Sequence, residues 1–177
     1  MTATEYVVLV DQANQEVGRA EKLLAHQNNL LHRAFSVFIF RQTASTTEIL
    51  LQQRALHKYH SPGLWTNACC SHPRPHEGII EAGNRRLKEE LGIVTTLKDQ
   101  GWFYYNAHFE NGLSEHEIDH VLVGFIDETE VIKPNTEEVH AVRFISVDEL
   151  RAELAEHPER FTAWFSEAFK ITQINNS

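Results

Sequence analysis

Cys70 and His72 stand two positions apart in the string W-T-N-A-C-C-S-H-P, Trp65 to Pro73. A thiol can exchange a proton and an imidazole can ligate a metal, so one short segment holds both kinds of group. A few residues on, Gly83 to Gly92 reads G-N-R-R-L-K-E-E-L-G, a charged helical segment suited to handling an anion. Thiol, imidazole and charged helix together point to chemistry on a phosphorylated small molecule.

Other residues extend the pattern. Glu115 and Glu117 are two apart, and in a strand they share a face with His116 opposite. Two carboxylates so placed repel unless a cation sits between them; the alternative is an exposed acidic strand edge. His26, His32 and His72 would add three imidazoles. Three nitrogens and two carboxylates suit Mn²⁺, Mg²⁺, Fe²⁺ or Zn²⁺ in five- or six-coordinate geometry better than a closed structural zinc site. Spacing alone does not bring the five together. The histidines His57, His60, His76, His140 and His157 read as surface residues.

Arg85 and Glu89, and Arg86 and Glu90, are four apart and share helix faces. Arg precedes Glu in both pairs, the weaker orientation against the helix dipole. Surface ion pairing is therefore one reading. A carboxylate that holds a metal beside an Arg that holds phosphate is the other. Arg54 and Lys58, with Lys22 upstream, offer a fork and point charges to phosphate oxygens, although solvated basic residues are common.

The elements that must position these groups are also legible. Tyr6 to Asp11 suits a strand. Arg33 to Arg41 holds the run Val37-Phe38-Ile39-Phe40, which predicts a strand buried on both faces, and Glu48 to Arg54 completes a hairpin. Ser61-Pro62-Gly63 is a turn. Glu77 to Leu91 predicts a helix with Gly92 as its stop. Trp102 to Phe109 and His116 to Phe125 predict two strands around a turn at Asn111-Gly112. Val142 to Ser146 is a short strand. Ser146 and Glu149 have capping-box spacing and open a helix to about Glu156. After Pro158 a last amphipathic helix carries Phe161, Trp164, Phe165 and Phe169. The expectation is an α+β fold, an α/β/α-type sandwich in which three helices cover a mixed sheet.

The 177 residues fit a single domain, 1–177, with 42% hydrophobic and 23% charged residues. A net charge of -9 argues against nucleic acid or an anionic membrane as the main partner. No apolar run approaches the roughly 20 residues of a membrane span, and the N-terminus lacks a secretory pattern. Cys69 and Cys70 are adjacent, a poor placement for a disulfide, and free thiols fit the cytoplasm.

The chain resembles the type 1 isopentenyl-diphosphate isomerases, a family of Nudix-like fold. The resemblance runs from Lys22 to about Trp164 and rests on five ordered motifs. These are H-x(n)-L-H-R-A-F-S (His26 to Ser36), Q-R-A-L-x-K (Gln53 to Lys58), P-G-x-W-T-N-x-x-C-x-H-P (Pro62 to Pro73), R-R-L-x-E-E-L-G (Arg85 to Gly92) and Glu115-x-Glu117. The match to the general Nudix hydrolase box is partial. Ser71 stands at its first Gly and Arg86 at a core Glu, while Glu77, Glu89 and Glu90 keep the other acids. Losing one core acid favours isomerase over hydrolase.

The resemblance implies reversible allylic isomerisation of isopentenyl and dimethylallyl diphosphates. It implies Cys70 on one side of the substrate and Glu117 on the other, with Tyr105 near Glu117. A cation, Mn²⁺ or Mg²⁺ with Zn²⁺ as an alternative, would be held by His26, His32, His72, Glu115 and Glu117. The segment from His26 to His32 is one residue shorter than in some relatives, so His26 is the least secure of these. A second cation, Mg²⁺, would bridge Glu90 to the diphosphate. Lys22, Arg54, Lys58 and Arg86 would hold the remaining phosphate oxygens. Trp164 would offer its ring face to a cationic intermediate, or else pack in the core. The implied partner is a small-molecule diphosphate, with oligomeric state left open. A pyrophosphohydrolase and a non-catalytic diphosphate-binding module are the alternatives.

Overall fold

Val37, Phe38, Ile39 and Phe40 are fully buried at the centre of the molecule. The structure is a computed structural model, and it describes residues 4–58 and 61–174. His60 lies outside the described residues.

The run belongs to β3 (His32–Gln42), preceded by β1 (Tyr6–Val10), β2 (Glu16–Glu21) and α1 (Lys22–Gln27). There follow β4 (Thr47–Arg54), β5 (Trp65–Thr66), β6 (Cys69–Ser71) and α2 (Ile79–Leu91). Then come β7 (Lys98–His108), β8 (Ser114–Phe125), β9 (Val139–Ser146), α3 (Val147–Glu156), a 3-10 turn (Pro158–Arg160) and α4 (Phe165–Ile171).

Among the described residues nine strands join in one mixed sheet. One edge of β3 pairs in parallel with β8, from His32 opposite Glu117 to Phe40 opposite Phe125. Its other edge is shared. Leu9 of β1 meets His32, β6 takes Phe35 to Val37, and β4 takes Phe40 to Gln42. One edge of β4 pairs with β9 from Glu48 to Arg54, and past Ile49 its other edge leaves β3 and takes β5 at Gln52 and Gln53. The sheet therefore splits between β6 and β4.

Side-chain alternation sorts the sheet into two faces. Phe35, Val37, Ile39, Cys69 and Leu122 pack with Ala82, Leu87 and Leu91 of α2. Phe38, Phe40, Val121 and Val123 pack with Phe161, Phe165 and Phe169 on the opposite side. At Gly83 of α2 an added Cβ would meet Leu122 Cδ1 at 2.6 Å, so the helix lies close on the sheet. Gly92 ends α2 with φ 68° and its N–H bonds Lys88 O, the left-handed stop that glycine accommodates without strain. Ser146 Oγ accepts from Glu149 N at 3.1 Å and caps α3.

The α+β sandwich expected from sequence is present, with differences in detail. Among the described residues four α-helices replace the expected three, because α1 is only six residues long and carries no sustained apolar period. The last expected helix is broken. Pro158 opens only a 3-10 turn, Phe161 is extended and forms a parallel bridge to Trp65, and Trp164 is the N-cap of α4. β2, β5 and β6 were not expected. β7 and β8 begin earlier than their apolar patterns, with a bulge between Asp99 and Trp102.

Candidate functional site

The face of β3 and β8 that carries Phe38 and Val121 changes character toward the start of both strands. There it carries His32, Ser36, Glu115, Glu117 and Asp119, and it opens on a cleft of about 1150 Å³, part of it open solvent. The register explains how distant residues meet. His32 is the direct cross-strand partner of Glu117, and Tyr105 of β7 is its partner on the other side. Cys70 lies opposite Ser36 across β6 and β3. Cys69, one residue earlier, points to the other face and is fully buried under α2.

His26 comes from α1, His32 from the first residue of β3, and His72 from just past β6. One ligand atom from each, with a carboxylate oxygen of Glu115, lies within 4.8 Å of every other. Glu117 Oε2 is 3.4 Å from His32 Nε2 and 3.0 Å from His72 Nε2. His26 Nδ1 donates to Ser114 O at 2.8 Å and His32 Nδ1 donates to Leu30 O at 2.9 Å. A neutral imidazole that donates from Nδ1 keeps its lone pair on Nε2, the arrangement of a ligating histidine. His32 Nε2 is buried and, among the described residues, has no hydrogen-bond partner outside this cluster. Burial, then the charge of His32, holds His72 well below the usual imidazole range, which favours its neutral form. Burial pushes the Glu117 carboxyl up, but the hydrogen bond and charge of His32 outweigh it and the net shift is down. Three imidazole nitrogens and two carboxylates form a donor set that fits a divalent cation. Glu115 and Glu117 are 5% and 8% exposed, so they are not an exposed strand edge.

The thiol has its own surroundings. Cys70 Sγ is 3.3 Å from Asn67 Oδ1 and 3.5 Å from Ser36 Oγ. Ser36 Oγ donates to the Asp119 carboxylate at 2.9 and 3.1 Å. Asn67 Nδ2 donates to Val37 O at 3.0 Å and Cys69 O at 2.9 Å, which turns its Oδ1 toward the thiol. Burial, then the charge of Asp119, pushes the Cys70 thiol up to about 12, so it keeps its proton at neutral pH. Burial and the neighbouring Glu117 likewise raise the Asp119 carboxyl. Burial, then the charges of Glu117 and Glu115, pushes the Tyr105 phenol up, and its buried Oη makes no hydrogen bond among the described residues.

Lys22, Arg54, Lys58 and Arg86 all line the cleft. Lys22 pairs with Glu5 at 3.2 Å and Lys58 with Glu138. Arg86 reaches Glu89 at 2.8 Å, Glu90 at 3.1 Å and Glu138 at 3.9 Å. Glu90 is buried beside Arg86 and Gln52, apart from the imidazoles, and burial raises its carboxyl despite Arg86. Trp164 is 5% exposed, edge-on to Tyr105 with ring centroids 6.3 Å apart. The Arg54 guanidinium carbon is 5.7 Å from the Trp164 ring centroid. His57, His76 and His140 are exposed and His157 is half-buried.

Sequence reasoning singled out neither Ser36, Asn67, Asp119, Gln52 nor Glu138. Asp119 extends the Glu115-x-Glu117 alternation by one step, and Asn67 lies inside the string around the thiol. Glu138 carries no local signal.

A NUDIX domain model matches residues 30–165 of the chain. The chain is 51% identical over 172 residues to an isopentenyl-diphosphate Delta-isomerase of Photobacterium profundum, covering 96% of this chain and 95% of that protein. It is 47% identical over 171 residues to one of Aliivibrio fischeri, covering 94% of each. Among solved structures, a Deinococcus radiodurans protein superposes with a TM-score of 0.69 at 16% identity, covering 96% of this chain and 98% of that one. That last likeness is one of fold.

Proposed function

We propose a function from one premise: this chain belongs to the isopentenyl-diphosphate Delta-isomerase family and carries a NUDIX domain. It interconverts isopentenyl diphosphate and dimethylallyl diphosphate. The reaction adds a proton to the terminal alkene carbon and removes another two carbons along, through a species resembling a tertiary carbocation. It needs an acid and a base about one substrate and no hydride carrier.

One observation carries the assignment of roles. Cys70 and the His72, Glu115 and Glu117 side of the His/Glu cluster share one cleft with the cations Lys22, Arg54, Lys58 and Arg86, and Tyr105 is the cross-strand partner of Glu117. Cys70, kept as a neutral thiol by burial, is one proton-exchanging group and Glu117 is the other. They exchange roles in the two directions of the reaction. Tyr105, the cross-strand partner of Glu117, orients or relays its proton. Asn67 and Ser36 fix the thiol. Trp164 presents its ring to the developing positive charge.

His26, His32, His72, Glu115 and Glu117 would hold Mn²⁺ or Mg²⁺, which when bound makes the Glu117 carboxyl a stronger acid. Glu90 would ligate a Mg²⁺ shared with the diphosphate. Lys22, Arg54, Lys58 and Arg86 hold the remaining phosphate oxygens. No helix among the described residues is long and apolar enough to cross a membrane, and the two free cysteines accord with the cytoplasm.

The test is incubation of isopentenyl diphosphate with protein and Mg²⁺ in heavy water. Deuterium should enter dimethylallyl diphosphate with no release of phosphate or pyrophosphate. Phosphate release without isomer formation would move the chain to the hydrolases that share its fold.

A further inference from the structure

Glu138 has no place in the reaction described above, yet it sits inside the cleft. Its carboxylate hydrogen-bonds the Lys58 ammonium, and its Oε2 is also 3.9 Å from Arg86 Nη2. These are two of the four cations assigned to the diphosphate. The Glu138 backbone is tied down on both sides. Its N–H donates to Asn135 O at 3.0 Å, its carbonyl accepts from Ala55 N at 3.3 Å, and Asn135 N donates to Glu90 O at 2.8 Å. The chain at Glu138 is thus anchored to the end of α2 and the end of β4. The side chain is 31% exposed, so its carboxylate borders solvent.

Charge in the cleft is evenly matched. Its lining holds six Lys and Arg side chains and six Asp and Glu side chains. Lys58 has no other carboxylate partner in hydrogen-bond reach among the described residues, so Glu138 is the group that neutralises it. An anionic ligand that takes Lys58 competes with that carboxylate for its charge.

We propose that Glu138 is an internal counter-anion that occupies the Lys58–Arg86 pair in the ligand-free protein and yields it to the diphosphate. This rests on the diphosphate reading of the cleft. The consequence is selectivity by charge. A ligand must bring enough negative charge at two linked phosphate centres to outcompete a tethered carboxylate. A diphosphate does so, and a monophosphate does so poorly.

Glu138→Gln keeps the shape and removes the charge. The probes are inorganic pyrophosphate and inorganic phosphate, titrated by calorimetry at low salt into the protein as purified, without added Mg²⁺. A partly exposed ion pair of this kind should make pyrophosphate bind up to about fivefold tighter in Glu138→Gln. Phosphate should gain by a larger factor, so the pyrophosphate preference narrows. Unchanged or weaker pyrophosphate binding in a folded Glu138→Gln would overturn the proposal and make Glu138 a group that pre-orders Lys58. Lys58→Ala separates the two readings. Loss of pyrophosphate binding there supports the anion site, whereas unchanged binding removes that site and the counter-anion with it. Thermal unfolding gives a second readout. Pyrophosphate should raise the melting temperature of Glu138→Gln more than that of the wild type, and an equal rise counts against displacement.

Discussion

Truncating the two adjacent cysteines one at a time should separate catalysis from packing. The thiols are one residue apart on β6 and face opposite sides of the sheet. Cys69 is fully buried among Val37, Leu87 and Leu91 beneath α2. Removing its sulfur deletes about one methylene-equivalent of buried volume. The transfer term is about 0.8 kcal/mol and a residual cavity adds to it, so Cys69→Ala should cost about 1–1.5 kcal/mol. In a chain of this size that lowers the melting temperature by roughly 2–6 °C. Turnover should stay near wild type, because nothing on the cleft side moves. Cys70 faces the cleft, and its neighbours are weak sulfur contacts to Asn67 and Ser36. Cys70→Ala should barely change stability but lower turnover by about 10²–10⁴, the range a positioned acid–base group contributes. Thermal unfolding and isomerisation rates on both variants decide the matter. Loss of turnover in a fully stable Cys69→Ala, with an active Cys70→Ala, would refute the argument from strand alternation.

Three further outcomes follow from the same geometry. Relative to an ordinary thiol at 9.0, a Cys70 thiol pushed up to about 12 leaves about a thousandfold less thiolate at pH 8, so iodoacetamide should label it slowly and about tenfold faster per added pH unit; a labelling rate that levels off below pH 9 would contradict this. His72→Ala and Glu115→Gln should lower bound Mn²⁺ or Mg²⁺, measured by elemental analysis, together with the rate, and full activity after rigorous chelation would sink the cation-assisted scheme. Trp164→Ala should slow turnover by more than tenfold, since a desolvated cation–π contact is worth about 2 kcal/mol or more; an ammonium-bearing diphosphate should lose more affinity than a neutral diphosphate, and equal losses would leave Trp164 a packing residue.

Long, strongly patterned pieces were readable from sequence. Val37 to Phe40 declares a doubly buried strand by composition, and Gly92 marks the end of α2 because its conformation suits glycine. The E-x-E pair was readable because strand alternation is a local rule. What was not readable is nonlocal or short. The meeting of His32 with Glu117 depends on a parallel register between strands more than eighty residues apart in sequence. β5 and β6 have two and three residues, too few to show a period. α1, which carries His26, is a single short helix with no side-chain cap. Ser36 and Asn67 look like ordinary polar residues until their hydrogen bonds to Asp119 and Cys70 are drawn. The placement of Phe161 failed for a different reason. Its apolar neighbours kept a helical spacing, but Pro158 and the bridge to Trp65 hold the segment extended.

The pairing of β3 with β8 also has a bearing on how the chain finds its alignment. A slip of β8 by a single residue would turn every side chain over. Glu115, Glu117 and Asp119 would then leave the imidazoles for the opposite face, where Ile118 packs against Val8 and Val10, while Ile118 would turn toward the cleft. Burying carboxylates without partners costs on the order of several kcal/mol each. The groups assigned to chemistry therefore act as a registration key for the sheet. A cation that binds only when His32 and Glu117 stand opposite each other would reward the correctly aligned chain and no other.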